Sequence, residues 1–274
     1  MFFLVRLVLQ TFSSLFPKGK HRNRAIVLAA IATIVPLSQL FVIRIFSHMI
    51  VQGAKAPLTE TIIQFVLFFG LFALSHLATY WQKTYRIKVF NDALSSRTGW
   101  RSKITESWDW ALTFETNNLL HTFTQVLVLA AFFISVSWEA GLVNFVLILF
   151  TMQIIKIMFT KQTATQEGFA LAHKKQENIS AATKVGARIK SAELGTLVAN
   201  GVFVVSLGVL LAFSYMGRLA AADAVMLFLG FRMQNSNLGQ TSGSLMRFAR
   251  AKAQRDAPAK YKGVKPDSDE DELG

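Results

Sequence analysis

Residues 196–245 read TLVANGVFVVSLGVLLAFSYMGRLAAADAVMLFLGFRMQNSNLGQTSGSL. The first part is a mainly apolar run, free of charged residues, that stops at Gly217. A new apolar run begins almost at once and then turns polar from Arg232 onward. A helix needs about 20 apolar residues to cross the hydrocarbon core of a bilayer, and the first run meets that length. A link as short as residues 217–219 can only send the next helix back antiparallel. The stretch therefore predicts a membrane helical hairpin.

The same pattern extends toward the N-terminus. Apolar segments at 25–50, 61–82, 118–137, 140–159, 195–216 and 220–246 predict six transmembrane helices in an all-α, polytopic membrane protein. Composition agrees: 52% of the 274 residues are hydrophobic, only 16% are charged, and the mean hydropathy is +0.39. That balance argues against an ordinary soluble enzyme. The net charge of +13 would suit a nucleic-acid binder, but in a membrane protein Lys and Arg are counted loop by loop, and that distribution accounts for them without nucleic acid. Cysteine is absent, which removes disulfides, thiolate metal sites and cysteine nucleophiles.

Before the first segment stand Arg6, Lys18, Lys20, Arg22 and Arg24 with no acid among them. Lys83, Arg86, Lys88, Arg97, Arg101 and Lys103 come after the second segment. Lys161, Lys174, Lys175, Lys184, Arg188 and Lys190 come after the fourth. The opposite connections, 51–60, 138–139 and 217–219, hold only Lys55 and Arg218. By the positive-inside rule both termini are expected in the cytoplasm, in an inner or plasma membrane.

Three further regions complete the expected organisation. Residues 1–24 form an interfacial helix and a basic lead; the cations come after the apolar run MFFLVRLVLQTFSSLF, the reverse of a signal peptide's charge order. Residues 25–255 form the transmembrane domain, and 256–274, passing from basic to acidic with Pro and Gly, form a disordered tail. The two long basic loops lack Pro and are rich in helix formers, so the second and fourth helices are expected to run on as stalks. A helix of about 37 residues would reach ~55 Å, well beyond a bilayer core. Two surface hairpins and a pair of docking stalks are both consistent with that composition.

These features together resemble the transmembrane domain of an ABC exporter. The likeness rests on an elbow helix, six spans, the short link SWEAGL at 137–142, and Gly217, Leu219 and Asp223 in the places of that family's "G-x-L-x-x-x-D" link. It covers about residues 1–255. The resemblance implies a homodimer or heterodimer. It also implies that the stalk apexes act as coupling segments for a nucleotide-binding ATPase: Arg97, Trp100 and Arg101 in the first, Lys175, Glu177 and Asn178 in the second. Trp100 is either an aromatic anchor in a partner's pocket or a packing residue of the stalk. The chain departs from the family in having no GxxxxGK[ST] loop. No cofactor is expected on this chain, then, and ATP and Mg would belong to a separate subunit.

Intramembrane polar groups are costly, so they mark the expected pathway. Arg232, Gln234, Asn235, Asn237 and Gln240 crowd the second half of the sixth segment, and at 100° per residue they point all round the helix. Lipid cannot surround such a stretch; protein, water or headgroups must. Arg232 near the midplane would favour an anionic substrate, or else pair with a neighbouring helix. Alternatively the apolar run 219–231 is too short to cross. His76 and His121 are isolated and read as packing residues, and no helical His pair offers a metal site. Gly239 and Gly243 form one small-xxx-small step. Pro36 is expected to kink the first span. The expected function is an ABC-exporter-like permease subunit working by alternating access. The rivals are an ion-gradient carrier and a structural or accessory subunit of a membrane complex.

Overall fold

The computed structural model describes residues 2–16, 19–52, 57–95, 103–175 and 179–260, and every element among them is helical. The order is α1 (Phe2–Leu15), α2 (Lys20–Gln52), α3 (Leu58–Ser95), α4 (Lys103–Val136), α5 (Trp138–Lys174), α6 (Ala181–Tyr215) and α7 (Ala221–Lys260). At 1.5 Å per residue the 38 residues of α3 span ~57 Å, so the second and fourth expected spans do continue far past their apolar segments. The stalk apexes are another matter: Arg97, Trp100, Arg101, Glu177 and Asn178 lie outside the described residues, and Lys175 caps the end of α5.

Five helices, α2 to α6, are long and apolar enough to cross a membrane. The expected count of six is not met on those terms. α7 has 40 residues, but its apolar start gives way at Arg232 to the polar stretch that runs through Ser244. It also continues to Lys260, five residues into the region expected to be disordered tail. Pro36 sits inside a helix that remains continuous from Lys20 to Gln52.

The tight links fold as their sequences direct. α4 and α5 are separated by Ser137 alone, and a Cβ on Gly141 would collide with the Ile134 backbone nitrogen, so glycine is required where α5 leaves the link. α6 ends with Gly217 at φ 71°. Its N–H donates to the Ser214 carbonyl and the Arg218 N–H to the Phe213 carbonyl, both at 3.0 Å, which is a Schellman cap. Arg218 Nη1 then donates to both Glu139 carboxylate oxygens, at 2.8 and 2.9 Å, and ties the two links together.

Packing is tightest around α7, which touches α2, α4, α5 and α6. Two apolar clusters fill the bundle. One, near the tight links, joins Leu40, Leu129, Phe133, Met226, Leu227 and Phe231, with Phe133 and Phe231 edge to face at 5.0 Å. The other occupies the opposite part and includes Leu119, Ile155, Leu245 and Phe248. α1 lays Leu4, Val8, Phe12 and Leu15 onto protein, mainly α4, so the apolar stripe of the expected interfacial helix is docked and buried. Arg6, on its other face, is exposed.

Candidate functional site

Between the two apolar clusters lies a polar layer. Asn144 of α5 donates to Gln234 Oε1 of α7 at 2.9 Å, and Ser206 of α6 donates to Asn144 Oδ1 at 3.4 Å. Gln234 is 2% exposed, deep where an unbonded amide would cost several kcal/mol in hydrocarbon. Next along α7, Asn235 donates to Asn200 Oδ1 of α6 at 2.8 Å.

Beside this layer a cleft of about 540 Å³ opens between α4, α6 and α7. α4 contributes Asn118, His121 and Thr122; α6 contributes Glu193, Thr196 and Asn200. From α7 come Asn235, Ser236, Gly239, Gln240, Ser244 and Arg247. The α7 set recurs at intervals of three and four, one face of a helix. Asn118 is held by Arg86, whose Nη1 donates to its Oδ1 at 2.8 Å while the guanidinium lies 4.3 Å from the centre of the Phe114 ring. Asn235 also borders a second, small void of about 10 Å³ with Asn144, Ser206 and Gln234, room for about one water. Gln234 Nε2 and Asn235 Oδ1, from two residues that line this void, are buried without a protein partner.

Close helix approach shapes the wall. A Cβ on Gly195 would overlap Ser242 Oγ, so α6 and α7 touch there. The small-residue step read at Gly239 and Gly243 is looser: Gly239 is in ordinary contact distance of Thr196, and Gly243 faces Arg247 of its own helix.

The five polar residues expected to share one pathway are divided by the fold. Asn235 and Gln240 line the cleft, whereas Gln234 and Asn237 are buried on the inward face of α7. Arg232 is exposed, lies outside the cleft and makes no ion pair among the described residues. The cleft's arginine is instead Arg247, whose Nε and Nη2 grip the Glu115 carboxylate at 2.5 and 3.3 Å, with a further bond from Nη2 to Ser244 at 2.9 Å. Arg255 pairs with Asp109 at 2.9 Å in the same α4–α7 register. His121, read as a packing residue, is a cleft residue too. Glu115 and Asp109 were open to discovery in the sequence: two acids six apart on α4 face two arginines eight apart on α7 across an antiparallel pair.

The cleft presents amides and hydroxyls together with His121, Glu193 and Arg247, the last paired with Glu115. These groups can hydrogen-bond a ligand. Among the described residues no cluster of three or more His, Asp or Glu could hold a metal ion. No protein-family model matches this chain, and no curated protein matches it either.

Proposed function

We propose that this chain is the membrane-spanning subunit of a transporter that works by alternating access, resembling an ABC exporter and powered by an ATPase on a separate chain. The observation that carries this reading is the 540 Å³ cleft, lined largely by polar side chains, within a bundle of long apolar helices. Cavities with convergent polar groups are the usual binding places for small ligands, and polar surface within a membrane protein is kept where a pathway needs it. On this reading α7 is a sixth crossing helix whose polar half faces a hydrated vestibule. Asn235 and Gln240 contact substrate, Gln234 and Asn237 brace the wall, and Arg232 extends the same exposed face of α7 beyond the cleft. Two such subunits, identical or not, enclose the route in an inner or plasma membrane with both termini cytoplasmic. Arg97, Trp100, Arg101, Lys175, Glu177 and Asn178 pass the motion of the ATPase, which binds ATP and Mg, to the helices; the chain itself is not an enzyme.

A second reading is favoured by the interhelical bonds Asn144–Gln234 and Asn200–Asn235. Such bonds also serve purely to fix helix contacts, as an accessory or structural subunit would require. Purification from native membranes in mild detergent separates the two. A stoichiometric ATPase partner with ATP hydrolysis that falls when Trp100 and Lys175 are replaced by alanine is expected for the transporter. Recovery in a larger assembly without any ATPase would overturn it in favour of the accessory role, and recovery alone would point to a gradient-driven carrier.

A further inference from the structure

Three arginines gather at the end of the cleft that Arg247 lines, toward the C-terminal end of α7. The α6–α7 register is fixed by Asn200 opposite Asn235, Thr196 opposite Gly239, and Ser242 Oγ donating to the Ala192 carbonyl at 3.3 Å. One helical turn further, the same antiparallel register sets Arg188 of α6 opposite Arg247 of α7. Arg188 is half-buried, and Arg250 follows Arg247 by three residues, on the same face of α7. Arg250 is held in place by Trp108 of α4, with its guanidinium 5.3 Å from the ring centre.

The charge count at this rim is unbalanced. Glu115 is bonded to Arg247, which leaves Arg188 and Arg250 without an ion-pair partner among the described residues. Glu193 lines the cleft but makes no ion pair with any of the three. Arg247 commits Nε and Nη2 to Glu115 and Ser244 and keeps Nη1 free. Guanidiniums gathered this closely repel one another unless an anion sits among them, and their planar forks match tetrahedral oxyanions through paired N–H donors.

We infer that Arg188, Arg247 and Arg250 form a binding site for a phosphate group at the Arg247 end of the cleft. The site does not depend on the transport reading, since a phospholipid headgroup or a soluble phosphate would satisfy the same donors. Arg188 and Arg250 supply the uncompensated charge, Trp108 orients Arg250, and Arg247 contributes its free Nη1 while Glu115 holds its other nitrogens.

The test is calorimetric titration of the purified full chain, in a neutral glycoside detergent, with dioctanoyl phosphatidylglycerol; dioctanoylglycerol, which lacks the phosphate, is the control. Saturable binding of the phosphorylated probe alone is expected, with affinity reduced about tenfold or more in the Arg188→Gln, Arg250→Gln double variant. Competition by inorganic phosphate would assign the site to soluble phosphates, and saturable binding without competition would assign it to the lipid headgroup. Equal binding of dioctanoylglycerol, or unchanged affinity in a folded double variant, would overturn the site. If the double variant does not fold, Arg188→Lys decides: it keeps the charge and loses the fork, so a reduction of about threefold or more is expected and unchanged affinity refutes the assignment.

Discussion

α3 and α7 are nearly equal in length, 38 and 40 residues, and opposite in placement. α3 is the apolar one, yet it lies at the edge of the bundle and buries only Ser75, Val89, Phe90 and Ala93. α7 is the polar one, yet it is wrapped by four other helices. In water the order would be reversed. In a bilayer the surrounding solvent is itself hydrocarbon, so Phe65, Phe69, Leu74 and Leu77 lose nothing by facing outward, whereas Gln234, Asn237 and Thr241 must find protein partners. The two helices show that in this bundle an apolar helix can stay outward while close packing buries polar side chains beside the apolar core.

Glycine substitutions test this contrast most strongly. Gly195 on α6 abuts α7 at Ser242, while nothing lies within 4 Å of a Cβ on Gly70 of α3. Gly195→Leu is expected to cost about 3 kcal/mol or more by forcing the helices apart, and Gly70→Leu about zero. Thermal unfolding in detergent would register both, and equal losses would break the comparison. Next in size is Arg247→Met, which leaves the Glu115 carboxylate, 9% exposed, without its guanidinium. A destabilisation of about 2 kcal/mol is expected, below that of a fully buried pair because half of the Arg247 side chain is exposed. Adding Glu115→Gln should recover part of it.

A smaller effect is expected where helices share hydrogen bonds. A double-mutant cycle of Asn144→Ala and Gln234→Ala should give a coupling energy of about 0.6 kcal/mol, the usual size for such bonds between membrane helices. A coupling near zero would mean that the polar layer does not bind α5 to α7. Smallest of all, Leu77→Ala on the outer face of α3 should shift stability by less than about 0.5 kcal/mol, because lipid takes the place of a lipid-facing side chain. A loss matching Gly195→Leu would show that α3 is covered by protein and not by lipid.

Much of the fold was legible because its signals are local. The apolar segments, Gly217 with its left-handed backbone, the single-residue link before Trp138 and the long helix formers after the second and fourth spans each act within a few residues. The sixth span was the misleading one: its first 13 residues, 219–231, are apolar, but from Arg232 onward the helix is carried by its neighbours and not by lipid. The site was legible only by residue type. Asn235 and Gln240 of α7 line the cleft and Arg232 lies outside it, while Arg247, Glu115 and His121 form or brace it.

The sequence by itself determined that this is a membrane protein of long helices and where its two tight links turn, since hydropathy, glycine caps and helix propensity are properties of short stretches. Only the tertiary structure decided which face of α7 is buried, that Asn144 meets Gln234, and that the α6–α7 register sets Arg188 opposite Arg247. Those outcomes depend on how residues many positions apart are rotated and aligned by helix packing. A shift of one residue turns a helix face by 100°, and no pattern within a single helix records its partner's rotation.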